Sequence, residues 1–272
     1  MKLKEYPISF FNTLKLVSIP VSKLNDKSSS VPVIVSLTTI ESRLNKVHIT
    51  LRSVMNQSVK PERIVLWINE NDKTKIPKSL EMLTGDLLEI KFTAHRSSHK
   101  KLLPTLELFP DKTIVTCDDD LIYEKEWLEK LYATHVKYPK DIICNKARQI
   151  AIDENNKTLD YKFWKYTSEN NPVKNLAIGE GGILYPPGAL NSQITDYELA
   201  LKLAPKNDDL WFKAMALLNN TTVRLSENPS KVFIPIPGTQ KISLKKINVV
   251  KNFNVDQWND LTEYFKLDLN KT

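Results

Sequence analysis

The sequence predicts an α/β protein whose helices flank one mostly parallel sheet, and three observations carry that prediction. From Val31 onward, short apolar runs rich in β-branched residues alternate with segments whose apolar residues recur at helical spacing. Strands that alternate with helices return to the same sheet by right-handed crossovers, so they lie parallel. At 272 residues the chain is long enough to bury one full core with appendages.

The elements follow in order. Asp26 to Ser30 is a polar linker, after which Val31 to Leu37 reads as a first buried strand. Val47, Leu51, Val54 and Met55 mark an amphipathic helix that runs to about Gln57. Pro61 marks a loop, Arg63 to Ile68 a second strand, and Asn69-Glu70-Asn71-Asp72 a turn. A short helix at Ser79 to Leu83 and a strand at Leu88 to Phe92 come next. They are followed by a helix at Leu102 to Leu108 and a fourth strand at Lys112 to Cys117. Trp127, Leu128, Leu131 and Tyr132 share one face of the following helix. From about Ile142 the alternation loosens, and four of the six glycines fall between Gly179 and Gly188. Helices at Thr195 to Leu203 and Asp208 to Leu218, a strand at Val232 to Ile236 and a helix at Val255 to Phe265 complete the chain.

The net charge of +7 admits anionic partners: a nucleotide, a phospholipid surface or a nucleic acid. No basic run or aromatic-basic repeat supports nucleic-acid binding. Cys117 and Cys144 have no zinc-type spacing, and Cys117 reads as a buried core residue, which fits a reducing compartment. No apolar stretch reaches the roughly 18 residues of a membrane span. Met1 to Pro20 mixes Lys2, Lys4 and Lys15 with Phe10, Phe11, Leu14, Leu16 and Val17. That segment admits two readings, an element packed on the domain or an anchor on an anionic membrane, and Pro7 and Pro20 limit a continuous helix.

Asp118-Asp119-Asp120 ends the fourth apolar run, at the strand end where ligands of parallel sheets sit. Three adjacent carboxylates repel one another in a partly dry setting unless a cation offsets them. A hard divalent ion with oxygen ligands, Mg²⁺ or Mn²⁺, meets that need; a solvated acidic turn capping the next helix is the alternative. Strand alternation would place Asp118 and Asp120 on one side and Asp119 on the other, making Asp119 the most tolerant of change.

Several segments resemble a known group in the order they occur. Val33 to Thr39 with Arg43, Ser53 and Gln57 resembles the opening strand and helix of GT-A glycosyltransferases, especially the family-2-like group. Thr113 to Tyr123 with Trp127-Leu128 looks like their DxD segment. Gly179-Glu180-Gly181-Gly182 and Asn207 to Trp211 look like their glycine loop and acidic acceptor-side motif. The resemblance spans about Val31 to Leu218 and implies a GT-A, Rossmann-like single domain. Its division would be an extension at 1–30, a nucleotide-sugar half at 31–123, an acceptor half at 124–225 and a tail at 226–272.

By that resemblance Thr38, Arg43 and Lys101 lie near the donor nucleotide. Asp118 holds the ribose or a water and shares the metal with Asp120, and Asp119 completes the donor-side set. Gly179 to Gly182, Gly181 and Gly182 among them, let backbone approach the sugar; a tight turn before a strand is the other role open to them. The implied reaction moves a sugar from a nucleoside-diphosphate sugar to an acceptor hydroxyl, with inversion, and Mn²⁺ or Mg²⁺ stabilises the departing diphosphate. Asp209, with Asp208 beside it, is the candidate base; capping the helix that follows is the other role open to the pair. For Lys100 and Lys101 a solvated loop remains the other reading, and His95 and His99 read as exposed loop residues. Trp164, Tyr166 and Tyr185 stack on sugars or pack in the core. A glycan or glycolipid acceptor in bacterial cell-surface polysaccharide or lipopolysaccharide synthesis is implied. So is a cytoplasmic enzyme, peripheral at the inner membrane face. A sugar-phosphate nucleotidyltransferase is the alternative enzyme, but no glycine follows the first strand between Thr38 and Arg43 to cradle a triphosphate. A non-enzymatic nucleotide or carbohydrate binder has no need of two separate acidic motifs.

Overall fold

The computed structural model describes residues 5–169, 171, 173–239 and 252–269. Lys2 and Lys4 of the N-terminal extension and residues 240–251 of the tail lie outside them. Helix α1 (Glu5–Val17) and the short α2 (Val21–Leu24) precede the sheet. Pro7 is accommodated in the first turn of α1, where no backbone N–H is needed for the helix ladder. Strand β1 (Ser30–Thr38), helix α3 (Leu44–Met55), strand β2 (Lys60–Asn69), helix α4 (Lys78–Glu81) and strand β3 (Leu88–Thr93) form the regular first half. Pro32 lies in β1 at a register shift between Val31 and Ile34, which removes the need for its missing N–H. Helix α5 (Leu103–Leu108), strands β4 (Thr113–Thr116) and β5 (Leu121–Tyr123) and helix α6 (Trp127–Lys137) follow.

The later part is less regular. Strands β6 (Ile142–Cys144), β7 (Ala147–Gln149), β8 (Tyr166–Thr167), β9 (Asn175–Ala177) and β10 (Ile183–Tyr185) are short. Helices α7 (Tyr197–Leu203) and α8 (Asp208–Leu218), strands β11 (Val223–Leu225) and β12 (Phe233–Pro235) and helix α9 (Phe253–Phe265) end the chain.

Seven strands make the central sheet in the order β11-β6-β10-β4-β1-β2-β3. It is parallel throughout except at β10, which runs antiparallel between β4 and β6. Two small sheets, β12-β5 and β8-β7-β9, sit outside it. The expected α/β architecture, a mostly parallel sheet flanked by helices, is therefore present. One core cluster packs α3 and α6 against the sheet through Val35, Leu51, Leu66, Trp127 and Leu131. The other joins α5, α8 and α9 through Leu103, Trp211, Trp258 and Leu261. Cys117 and Cys144 are buried free thiols. No helix among the described residues is long and apolar enough to cross a membrane.

Candidate active site

Strands β1 and β4 are neighbours and parallel, so their carboxyl ends open on the same side of the sheet. Strand β4 stops at Thr116, and Asp118, Asp119 and Asp120 follow it as a turn rather than as strand. Alternation therefore does not govern their side chains, and the reason for expecting Asp119 to tolerate change best is absent. Asp119 is buried; it accepts hydrogen bonds from Thr39 Oγ1 at 2.5 Å and Arg43 Nη1 at 2.5 Å. Thr50 of α3 donates to its backbone carbonyl at 2.9 Å. Arg43 also reaches Asp120 Oδ2 at 3.1 Å. Burial opposes the guanidinium charge, but Asp119 and then Asp120 outweigh it and raise its pKa.

The second acidic motif opens α8. Asn207 is the residue before the helix, and neither aspartate caps it. Asp208 Oδ1 instead accepts from Ser98 Oγ at 2.8 Å, and Asp208 Oδ2 stands 2.9 Å from Lys101 Nζ. Asp209 Oδ2 accepts from the Gly179 N–H at 3.1 Å, whereas its Oδ1 is buried with no hydrogen-bond partner among the described residues.

Lys101 joins the two motifs. Its ammonium lies 3.1 Å from Asp118 Oδ1 as well as 2.9 Å from Asp208. The tight turn Ser98–Lys101 that carries it is anchored to β1, where Ser36 Oγ donates to the Lys101 carbonyl at 2.6 Å. Lys100 and Lys101 are both buried, so the solvated-loop reading is corrected, as is that of His99, which is fully enclosed. Burial pushes the His99 imidazole down to about 4 and keeps it neutral. For Lys101, burial opposes the charge, but Asp118, Asp208 and Asp209 together raise its pKa well above the ordinary lysine value. Burial alone would raise Asp208; the Lys101 charge and the hydrogen bonds from Lys101 and Ser98 overcome this and hold it below the usual carboxylate range. For Asp209, burial and then the charge of Asp208 outweigh the opposing Lys101 charge and push it up to about 8.

The glycines divide by location. A Cβ on Gly179 would sit 2.8 Å from Lys101 Nζ and 2.9 Å from Asp209 Oδ1, so a side chain here would force these charged groups to shift. Gly181 and Gly182 face elsewhere, against Lys146 and the Trp127 ring; Gly182 has φ +87. Thr38 ends β1 with its hydroxyl donated to the Trp67 carbonyl at 2.9 Å. Of the sequence candidates, the structure thus brings together Arg43, Lys101, Asp118, Asp119, Asp120, Asp208 and Asp209, with Gly179 between them. Trp164 and Tyr185 are core residues, whereas Tyr166 is exposed beneath the Arg148 guanidinium, 3.9 Å from its ring centroid. Sequence reasoning missed Ser98, Thr39, Thr50 and Tyr123, whose hydroxyl accepts from the Asp118 N–H at 2.9 Å. Isolated hydroxyl residues carry no spacing signal that could have found them.

Five aspartates meet here, and ion pairs join four of them to two cations, Arg43 and Lys101. The acidic excess and the oxygen donors suit a divalent cation that takes one or two carboxylates and completes its shell with water and phosphate. They do not suit a protein-made cage, since no group of three metal-ligating side chains forms among the described residues.

The residues 1–349 crystal structure of S. aureus TarS shares 18% identity over 74% of this chain, with TM-score 0.47; this chain covers 58% of it. TarS in complex with UDP shares 15%, covering 73% of this chain and 59% of that one, TM-score 0.49. A 4-diphosphocytidyl-2C-methyl-D-erythritol synthase from Anaerococcus prevotii shares 16%, covering 78% and 92%, TM-score 0.46. No curated protein matches. The model of the glycosyl transferase family 2 domain matches residues 42–192, more than half of the chain. That span takes in Arg43, Lys101, the three aspartates and Gly179, and on it the chain belongs to glycosyl transferase family 2.

Proposed function

We propose that the protein transfers a sugar from a nucleoside-diphosphate sugar to an acceptor hydroxyl with inversion, and that Lys101 marks where its donor and acceptor sides meet. The observation that carries this reading is the single ammonium within 3.1 Å of Asp118 and 2.9 Å of Asp208, two aspartates 90 residues apart in sequence. Asp118 and Asp120 would hold Mg²⁺ or Mn²⁺, which when bound supplies positive charge to the leaving diphosphate. Thr38 and Arg43 border the nucleotide, with Arg43 fixing Asp119 and Asp120 in place. Lys101 adds a fixed cation close to where charge grows on the leaving group.

Asp208 and Asp209 divide the acid–base work through their environments. Asp208 is held ionised by Lys101 and Ser98 and serves to position that ammonium. Asp209 has one oxygen without a partner and a pKa pushed up to about 8, so it is suited to take the proton from an attacking hydroxyl. The acceptor in this reading is a glycan or glycolipid of the bacterial cell surface, met at the inner, anionic face of the membrane, in polysaccharide or lipopolysaccharide synthesis.

Thermal shift with a panel of nucleotide sugars, with and without Mn²⁺, tests the proposal. A rise in Tm that needs both, and is lost in Asp120→Ala, supports it. No response to any donor, or full response in Asp120→Ala, rejects the donor site.

A further inference from the structure

Helix α1 is packed inside out. Its inward face is formed by Ser9, Asn12, Thr13 and Leu16, of which Leu16 alone joins the apolar core. Its outward face carries Tyr6, Ile8, Phe10, Phe11, Leu14 and Val17, all exposed, Phe11 to 67% and Phe10 to 58%. A helix that folds only to cover its own domain turns its apolar stripe inward. This one instead fixes itself by polar contacts. Ser9, fully buried, donates its hydroxyl to the Pro235 carbonyl at 2.8 Å, and Arg52 of α3 donates to the Leu16 carbonyl at 3.1 Å. The apolar face is thereby held rigidly outward.

Exposed Lys15 and Lys23 flank that face, with Glu5 half-buried in the first turn of α1 and Asp26 just beyond α2. The whole chain carries +7. The size of the face also matters. Thirteen residues make a helix about 20 Å long and about 10 Å across, which offers a partner only a few hundred Å², against the ~800 Å² per side of a stable protein interface. Such a face is ample for a helix lying in a lipid headgroup layer, where aromatic and leucine side chains sink in and lysines meet anionic phosphates.

We propose that α1 seats the enzyme on an anionic lipid surface. This rests on the membrane-side reading of the acceptor and gives it a location. The seat is joined directly to the site: α1 bonds to Pro235 of β12, and the next residue, Ile236, donates its N–H to the Asp120 carbonyl at 2.9 Å. The aspartate cluster is thus held at a fixed offset from the lipid, within reach of an acceptor carried by it.

The test is co-sedimentation of the full chain with vesicles of phosphatidylcholine alone and of phosphatidylcholine mixed with phosphatidylglycerol. The triple variant Phe10→Ser, Phe11→Ser, Leu14→Ser is run beside it. Expected is binding to the mixed vesicles only, reduced by high salt, and weakened about 10²-fold or more in the variant. The variant's Tm and its Tm shift with nucleotide sugar should stay as in wild type, because these side chains face away from the core and the site. Three results overturn the proposal: no sedimentation of wild type with mixed vesicles, equal binding to both vesicles, or equal binding by the variant. A concentration-dependent dimer in sedimentation equilibrium that the triple variant abolishes also overturns it, since a second copy then covers the face. Loss of all nucleotide-sugar response with vesicle binding intact rejects the transferase site and leaves the membrane seat standing.

Discussion

Replacing Lys101 with methionine removes one charge while keeping a stem of similar length. In the wild-type protein the ammonium lies 2.9 Å from Asp208 and 3.1 Å from Asp118, and the Lys101 side chain is 6% exposed. Removing one partner from a buried pair costs about 3–5 kcal/mol, because the carboxylates stay buried without their counter-charge. Asp118, with 34% of its side chain exposed, can recover hydration; Asp208, at 10%, cannot. The lower part of that range, about 3–4 kcal/mol, is therefore expected, measured as a fall in urea midpoint at unchanged m-value. The matching fall in Tm is about 6–16 °C. The pH dependence adds a second check. Asp208 titrates below its ordinary range when folded, so wild type draws stability from it above that range and loses it as pH falls through the folded pKa. Lys101→Met lacks that gain, so the gap between the two proteins is widest near neutral pH and narrows in acid. A loss below about 1 kcal/mol, or a gap that stays constant into acid, would refute the reasoning: Lys101 would then be effectively solvated.

Three more outcomes follow from the same geometry. Asp209→Asn should lower the transfer rate about 10²–10⁴-fold with donor binding kept, and wild type should gain rate as pH rises through about 8, where Asp209 ionises; full activity in the variant rejects Asp209 as the base. Gly179→Ala should destabilise by about 1–3 kcal/mol by forcing Lys101 and Asp209 apart, whereas Gly85→Ala, whose Cβ meets nothing nearer than 3.7 Å, serves as the neutral control in the same melts. Lys213 is buried in α8, and burial pushes its amine down to about 7. The unfolded chain holds that proton up to a higher pH, so Lys213→Met should exceed wild type by about 1–3 kcal/mol near pH 7, the margin shrinking as pH rises towards about 10; urea unfolding at the two ends of that range decides it.

Much of the fold could be read along the chain because its first half obeys one rule at a time. Val47, Leu51 and Val54 at helical spacing, and Arg63 to Ile68 as an unbroken β-rich run, each point to one element, and α3 and β2 stand there. Strands β6 to β9 escaped because each is three residues or fewer, too short to show a period. At the N-terminus a helix packed on the domain stands at Glu5–Val17, ending before Pro20; Pro7 sets no limit, because proline breaks a helix in its interior and Pro7 falls in the first turn.

By itself the sequence determined the alternating α/β order, the strand end bearing three aspartates and the second acidic pair at the start of α8. Those features are local, set by side-chain period and by adjacency in the chain. Only the tertiary structure decided how the carboxylates differ, because ionisation depends on burial and on neighbours distant in sequence. Arg43 comes from the turn before α3 to pin Asp119, the aspartate that adjacency had ranked as most tolerant. Lys101 crosses from its own turn to pair with Asp208 and hold it ionised, whereas Asp209, one residue further on, is governed by burial and the charge of Asp208. The outward face of α1 was likewise a matter of packing: its apolar residues are plain in the sequence, but their direction was set by Ser9 and Arg52 binding the polar side inward.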